Sequence, residues 1–237
     1  MKISATVDAG AIPRRVGTRI WDLPTRLFHW SLVAAISGAL LTQYVGGTAM
    51  VWHFRCGYAA LTLVLFRVIW GFVGTRHARF VNFVRKPSDV IAYIKAHTQG
   101  HPTAATKAPG HNPLGALSVL AMLGAVLLQA GTGLFANDDI AEQGPLAKLI
   151  DKRLSDQISV LHSQIGIKLI YVLVALHIAA IAYYLVRKRV NLVHPMLHGD
   201  KPDADPAHAV EDGWPERAAA LACLSVSAGI VWLLINL

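Results

Sequence analysis

Four histidines lie inside long apolar stretches of this sequence, at His29, His53, His162 and His177. An ionisable side chain in an apolar span is energetically expensive and by default marks a functional site. The other seven histidines lie in polar connections, where we expect solvated or headgroup-facing side chains with no particular chemistry. Those seven are His77, His97, His101, His111, His194, His198 and His208. Chemistry is therefore expected at the four histidines of the apolar stretches.

The positions of these four histidines predict two pairs at two depths of a membrane. His29 and His177 fall near the ends of spans on one side, whereas His53 and His162 fall near the ends on the other. Fifteen residues separate His162 from His177, which corresponds to roughly 22 Å of helix and four turns plus about 60°. Both can therefore face one bundle interior. Paired neutral imidazoles on facing helices are what a bis-histidine haem iron requires.

The sequence motifs indicate which type of haem is expected and argue against other kinds of metal site. No C-x-x-C-H motif occurs, so the two predicted haems are of b type. Zinc and di-iron sites in helical bundles use carboxylates or cysteines beside the histidines, and no acidic residue lies within a span. Cys56 and Cys223 are expected in opposite halves of the membrane, which makes a disulfide between them improbable.

Glycines follow two of the histidines at the same spacing. Gly57 comes four residues after His53, and Gly166 four residues after His162. Position i+4 lies beside residue i on a helix face, so a glycine there removes the side chain that would strike the edge of a flat macrocycle. Close packing of helices through small residues is the alternative interpretation.

Other polar residues near the predicted haems are candidates for supporting roles. Arg26, Arg55 and Arg67 can bind haem propionates, or they can extend towards lipid phosphates. Gln129 and Lys168 lie inside spans and can line a quinone site or a proton path. For Gln129 an interhelical hydrogen bond is the favoured interpretation.

The elements that position these residues are predicted membrane spans. Of the 237 residues, 54% are apolar and only 15% are charged, which argues against a soluble globular enzyme. A span takes about 20 residues. Five stretches are long and apolar enough, namely residues 27–45, 53–74, 114–136, 158–186 and 218–237. Asp22 and Pro24 can cap and open the first helix, which should therefore begin about a turn before its apolar run.

The distribution of charge predicts the orientation. The formal charge is +8, but basic residues concentrate in three connections on one side: five in residues 1–26, six between spans two and three, and five in residues 187–217. By the positive-inside rule that side is the cytoplasm, and the C-terminus lies in the periplasm. The predicted parts are a cytoplasmic arm (1–26), a four-helix di-haem domain (27–186), a cytoplasmic connection (187–217) and a fifth transmembrane helix (218–237). Because the basic residues concentrate on one side of the predicted membrane protein, the net charge of +8 does not indicate nucleic acid as a partner.

Four stretches of the sequence carry a family resemblance: IWDLPTRLFHW, HFRCGYAALTLVLFRVIWGFVG, GHNPLGALSVLAMLGAVLLQAGTGLF and LHSQIGIKLIYVLVALH. They resemble the bacterial cytochrome b561 family, in the branch that includes the cytochrome b subunits of nickel-iron hydrogenases. The resemblance covers roughly residues 18–200, so the fifth span lies outside it. It implies a four-helix bundle with two b haems, His29 and His177 binding the cytoplasmic haem and His53 and His162 the external one.

The resemblance also implies a function. We expect an all-α protein of the bacterial inner membrane, a four-helix transmembrane bundle holding two haems plus a fifth C-terminal helix. It would pass electrons between membrane quinone and a periplasmic protein such as a c-type cytochrome or a hydrogenase, as an electron carrier or as a subunit of a quinone-linked oxidoreductase. One alternative is a superoxide:quinone oxidoreductase, which the acidic excess of the connection between spans three and four disfavours. The other is a non-redox membrane anchor or transporter that uses the histidines as a proton relay.

Overall fold

The computed structural model describes residues 17–99, 110–138, 142–202 and 204–237. Residues 1–16 of the predicted arm and His101 lie outside these ranges. The helices are α1 (Leu23–Val45), α2 (Met50–Val73), α3 (Phe80–Phe83), α4 (Pro87–Thr98), α5 (Pro113–Gly133), α6 (Lys152–Val160), α7 (Ile167–Arg187), α8 (Val193–His198) and α9 (Trp214–Ile235). A π-helical turn, Leu161–Gly166, joins α6 to α7, and strands β1 (Thr18–Arg19) and β2 (Asp200–Lys201) form a two-stranded antiparallel sheet.

Among the described residues, four segments are long and apolar enough to cross a bilayer. They are Gly47–Val73, Pro113–Gly133, Lys152–Arg187 and Trp214–Ile235. This confirms an all-α, multi-pass membrane protein. Helix α1 has 23 residues, enough to span, but Arg26, His29 and Gln43 make it less apolar than the other four. Its assignment as a span stays a prediction, as does the orientation of the termini.

Helix α2 lies at the centre of the bundle. It packs against α1, α5 and α9, and α5 in turn packs against α7. The shared core between these helices includes Val64, Phe66 and Trp70 of α2 and Leu123 and Val126 of α5. The helices also carry many exposed large apolar side chains, which is the expected outer surface of a protein whose solvent is lipid.

The start of α1 is fixed by Asp22, as its capping prediction requires. The Asp22 side chain is 1% exposed, and its Oδ1 accepts from the main-chain N–H of Thr25 at 2.7 Å. Its Oδ2 accepts from the Trp70 indole N–H at 3.2 Å and from the Thr75 hydroxyl at 2.5 Å. One carboxylate therefore caps α1 and joins it to the end of α2.

Part of the predicted cytoplasmic connection forms regular contacts with the N-terminal arm. Strand β2 pairs with β1 of this arm, with Thr18 opposite Lys201. Asp212 accepts hydrogen bonds from the Arg19 guanidinium at 2.6 Å and from the main-chain N–H of Leu23 at 3.2 Å. Pairing across more than 180 residues of sequence is a long-range contact, which local turn composition does not reveal.

Two of the connecting histidines are not the solvated side chains that were expected. His77 Nε2 is 2.9 Å from the carbonyl oxygen of His208, and the His111 ring packs between Trp21 and Phe83, each 4.8 Å away between ring centres. Burial, and then the positive charges near it, lower the pKa of His111 to about 3. Burial likewise lowers the pKa of His77. Both imidazoles are therefore neutral at physiological pH.

Replacing Asp22 by alanine should destabilise the protein by about 2–4 kcal/mol. The change removes a helix cap and leaves the Trp70 and Thr75 donors buried without an acceptor. Asp151→Ala is the matched control, because the exposed Asp151 carboxylate caps α6 through the Leu154 N–H alone, and it should cost about 1 kcal/mol. Thermal unfolding of both variants in the same detergent, followed by circular dichroism, measures the difference. Equal losses of stability in the two variants would contradict the conclusion that Asp22 joins α1 to the end of α2.

Acid should destabilise the protein partly through His111. The unfolded chain binds a proton at His111 as the pH falls below 6.5, whereas the folded chain does not until about pH 3. Each pH unit within that window therefore removes about 1.4 kcal/mol of stability through this group. His111→Gln should reduce the slope of stability against pH between pH 6.5 and 5 by that amount. An unchanged slope in unfolding experiments would mean that His111 is charged in the folded protein.

Candidate functional site

The structure brings the four histidines of the apolar stretches together in two pairs. His53 of α2 faces His162 of the π turn, with 6.2 Å between ring centres and the ring planes at 90°. His29 of α1 faces His177 of α7, with 6.4 Å between ring centres and the planes at 52°. All four residues are partly buried. These are the same partners that the depths of the residues in the sequence indicate.

The spacing within each pair fits one metal ion between two imidazoles. A metal–nitrogen bond of about 2 Å to each ring places the centres of two opposed imidazoles about 6–6.5 Å apart. Both observed separations, 6.2 and 6.4 Å, fall in this range. The described residues contain no group of three or more His, Cys, Asp or Glu side chains able to hold a metal ion. Two imidazoles at this spacing could hold the iron of a haem, whose porphyrin would supply its other ligands.

The ring hydrogen bonds of the His53–His162 pair, called the external pair after its predicted side, fix which ring nitrogen carries the proton. His53 Nδ1 lies 2.9 Å from the Ala39 carbonyl oxygen, and His162 Nδ1 lies 2.8 Å from the Gln129 carbonyl oxygen. A carbonyl only accepts, so each Nδ1 carries the proton and each Nε2 keeps its lone pair. A metal-binding histidine commonly donates its second ring N–H to a backbone carbonyl in this way.

A cavity of about 480 Å³ lies between the histidines of the external pair. Its walls are mainly apolar, with Ile36, Val126 and Ile170 among the lining residues. Asp138 and Glu142 also line it and add carboxylates to its polar part. A largely apolar cavity of this size is typical of a site for a bound organic cofactor.

The two predicted glycines differ in their surroundings. Gly57 lines the cavity, and a Cβ added there would meet no atom within 4 Å, which agrees with a position that opens onto a macrocycle. Gly166 instead packs against the side chain of Gln129. The proposed clearance for haem at Gly166 stays a prediction, because in this structure the Gln129 amide fills the space that the missing side chain leaves.

Sequence reasoning missed another glycine at this site. A Cβ added to Gly133, at the end of α5, would lie 2.9 Å from Cε1 of the His162 ring. Gly133 also lines the cavity. Its contact with His162 joins residues 29 positions apart, so no local signal in the sequence marks it.

The three candidate arginines have different surroundings. Arg26 donates to the Leu197 carbonyl at 2.7 Å and so fastens the cytoplasmic connection. Arg55 is exposed, with its guanidinium 4.7 Å from the centre of the Trp52 ring. Arg67 is 3% exposed and lies 5.0 Å from the centre of the Phe80 ring, and its Nη1 has no hydrogen-bond partner among the described residues. Arg26 Nε is likewise buried without a hydrogen-bond partner in the described part of the chain, so Arg26 and Arg67 each have a buried donor that a haem carboxylate would satisfy.

Arg67 lies at a depth similar to that of the His29–His177 pair, called the cytoplasmic pair after its predicted side. Phe28 and Phe66 contact each other with 6.2 Å between ring centres, so their chain neighbours His29 and Arg67 lie at similar depths. His29 Nδ1 is itself buried without a hydrogen-bond partner in the described part of the chain. Lys168, by contrast, is exposed on the outer side of α7 and does not line the interior between the pairs.

Comparison with known proteins identifies the family of this chain. The family model for prokaryotic cytochrome b561 matches residues 20–199. The chain belongs to the prokaryotic cytochrome b561 family. As a b561-family protein, it is a membrane cytochrome of the b type that functions in electron transfer, and its haem is haem b.

Three relatives match this b561-family chain over most of its length and most of their own. The probable Ni/Fe-hydrogenase B-type cytochrome subunit of Azotobacter chroococcum is 26% identical over 228 residues, covering 81% of this chain and 94% of that protein. The probable subunit of the same name from Rhizobium leguminosarum is 24% identical over 214 residues, covering 79% and 90%. The one from Rhodobacter capsulatus is 24% identical over 231 residues, covering 84% and 86%. No solved structure matches the chain significantly.

Gly133→Ala should lower the haem content of the purified protein. The new methyl group would lie too close to the His162 ring, so the ring must leave the position that its hydrogen bond to Gln129 fixes. Gly124→Ala is the matched control, because a Cβ at that exposed position of α5 meets nothing within 4 Å. Pyridine haemochrome content per chain measures the effect. Equal content in the two variants would contradict a close fit at His162.

Proposed function

We propose that this b561-family cytochrome carries electrons across the inner membrane between the quinone pool and a periplasmic redox protein. The observation that carries the proposal is the presence of two histidine pairs at two depths, each with the ring separation of a bis-histidine iron site. Haem supplies the one-electron chemistry when it is bound. His53 with His162 would hold the external haem, and His29 with His177 the cytoplasmic one.

The chain's own residues would orient the axial histidines, make room for the haems and bind a propionate. The carbonyls of Ala39 and Gln129 orient the external imidazoles, and Gly57 leaves room beside His53. Apolar walls exclude water from the cavity, which raises the strength of every electrostatic contact within it. The buried Arg67 would bind a propionate of the cytoplasmic haem. Two one-electron sites in series would allow a two-electron quinol to be oxidised or quinone to be reduced in single-electron steps.

A hydrogenase is the periplasmic partner that the relatives favour, and a c-type cytochrome is the second candidate. The relatives' names associate them with Ni/Fe-hydrogenase. The connection of residues 137–157 carries five acidic and three basic residues, a net charge of −2. Such a surface favours a partner with a basic contact face. In the proposed orientation this connection faces the periplasm, the N-terminus lies in the cytoplasm and the C-terminus in the periplasm.

The alternatives have less support than electron transfer to or from a protein. A superoxide oxidase needs positive charge near the external haem to attract the anion. Asp138 and Glu142 line that cavity, and Arg55 lies over the Trp52 ring. A non-redox anchor or transporter would not need paired imidazoles at the spacing of an axially ligated iron.

The proposal is tested first on the purified wild-type protein. We expect two haem b per chain, a reduced spectrum with b-type Soret and α bands, and reduction of the haems by a quinol in a stopped-flow experiment. Much less than two haems per chain, or haems that neither quinol nor candidate periplasmic partners reduce or oxidise, would contradict the proposed function.

Variants of the external pair should give one shared result. His53→Ala and His162→Ala should each remove the same haem and leave the same single redox wave, because both residues would bind one iron. His194→Ala, a change at an exposed histidine of α8, should keep both haems. Redox titration followed at the α band measures the waves. Loss of different haems from the two variants would overturn the pairing.

A further inference from the structure

Two buried polar side chains without partners lie together at the predicted cytoplasmic end of the bundle. Arg67 of α2 is 3% exposed, and its Nη1 has no hydrogen-bond partner among the described residues. His111, just before α5, has a buried Nδ1 that likewise lacks a partner in that part of the chain. Buried polar atoms are normally hydrogen-bonded, so two unsatisfied ones indicate a missing partner.

Arg67 and His111 lie against the same aromatic ring. The centre of the Phe83 ring is 6.0 Å from the Arg67 Cζ and 4.8 Å from the centre of the His111 ring. Trp21 packs on His111 as well, with 4.8 Å between ring centres. After burial, the positive charge of Arg67 is the next cause that lowers the pKa of His111. The two unsatisfied side chains are therefore neighbours, with aromatic walls around the imidazole.

The chemistry of the two side chains fits a carboxylate. A guanidinium only donates, and an imidazole donates from a protonated ring nitrogen, so an acceptor with two oxygens would satisfy both. Asp22 is the acidic residue whose charge acts on Arg67. Its two oxygens are already held by the donors of Thr25, Trp70 and Thr75.

The haem proposed at the cytoplasmic pair is a source of such a carboxylate. Arg67 lies at a depth similar to that of His29, since Phe28 and Phe66 contact each other. No acidic side chain lies within a predicted span, so a further carboxylate at this depth has to come with a bound molecule. Haem b brings carboxylates of its own in its propionates.

We propose that Arg67 and His111 together bind a carboxylate of this haem, and that His111 takes up one proton when the haem takes up one electron. The inference rests on the proposed function, since it needs a haem at the cytoplasmic pair. One electron from quinol or from the redox partner reduces ferric to ferrous iron. One proton from the aqueous phase is added at Nδ1, between the ring and the carboxylate, so that the charge of the site stays balanced.

The bound carboxylate changes the conditions under which His111 holds a proton. In its absence, burial and then the charges of Arg67 and His77 lower the pKa of His111 to about 3. A carboxylate on Arg67 offsets one of these positive charges and gives the Nδ1–H group an acceptor, and both effects favour the charged ring. The negative charge added by reduction acts in the same direction. His111 is then neutral in the oxidised protein and charged in the reduced protein.

Other titratable groups lie around this site. His77 is 6.4 Å from Trp21 between ring centres, and its Nε2 is 2.9 Å from the His208 carbonyl oxygen. Helix α3 carries no titratable side chain. The charged and titratable groups of the neighbouring elements are Asp22 before α1, Arg67 of α2, Arg76 and His77 after α2, Tyr184 of α7, Lys201 of β2 and His208. Of these side chains, the imidazoles are the ones that ordinarily change charge between about pH 6 and 8.

The proton uptake is tested by redox titration of the two-haem protein between about pH 6 and 8. One midpoint should fall as the pH rises, by at most about 59 mV per pH unit for one proton per electron. It should be the midpoint of the haem that His53→Ala protein retains. His111→Gln should keep this haem, because the amide still donates to a carboxylate, but should lose the slope. His77→Gln and His208→Gln are the matched controls and should keep the slope.

The part played by Arg67 is tested with Arg67→Gln. Removal of a buried cation disfavours ferrous iron, so the same midpoint should fall, or that haem alone should be lost. Arg55→Gln makes the same replacement at an exposed arginine of α2 and should leave this midpoint unchanged. An unchanged midpoint in Arg67→Gln, or loss of both haems, overturns the binding role of Arg67.

The remaining outcomes separate the inference from the function on which it rests. Two haems with midpoints that do not vary with pH, a slope that persists in His111→Gln, or a slope lost in either control overturns the inference and leaves the function intact. A slope on the other midpoint, or one that varies with the concentration of inorganic phosphate, overturns it as well. Wild-type protein without two haems instead contradicts the proposed function.

Infrared difference spectra decide the case in which His111→Gln does not assemble. Reduction of protein labelled with ¹⁵N-histidine should produce the ring bands of a protonated imidazole. The same bands should appear in His77→Gln and His208→Gln. Their absence from the wild-type spectrum, or their loss in either control, overturns the assignment to His111.

Discussion

Each histidine of the external pair donates to a main-chain carbonyl of a neighbouring helix, and these two hydrogen bonds organise that half of the bundle. His53 of α2 donates to Ala39 of α1, and His162 of the π turn donates to Gln129 of α5. Each carbonyl has a second lone pair, so it can accept a side-chain donor in addition to its helical partner. Two hydrogen bonds thus join three helices and the π turn around one cavity.

In the other half, which is predicted to face the cytoplasm, carboxylates connect the elements. Asp22 connects the start of α1 to the end of α2, and Asp212 binds Arg19 of the N-terminal arm and the first turn of α1. Helix α1 is therefore fixed at Asp22 near one end and at Ala39 towards the other. That double attachment determines how deep His29 lies relative to His53, and the spacing of the two histidine pairs depends on it.

Local patterns in the sequence were sufficient for four of the five predicted spans, for the Asp22 cap and for the two depths of histidine, because each depends on residues within one helix. The same reasoning failed wherever a feature depended on a neighbouring helix. Gly166 packs against the Gln129 side chain of α5, a contact that its spacing from His162 does not show. The contact of Gly133 with His162 and the burial of His111 against Trp21 and Phe83 join distant segments. No periodicity of the sequence records these contacts.

The fifteen residues between His162 and His177 have a consequence for an energised cell. They span roughly 22 Å, about three quarters of a hydrocarbon core of about 30 Å. A resting membrane is negative inside. The free energy of one charge that crosses it entirely changes by about 2.3 kcal/mol for each 100 mV of membrane potential. An electron that moves inward between the pairs therefore works against most of that voltage. The spacing couples the redox step to the membrane field, so a de-energised membrane passes electrons inward more readily than an energised one.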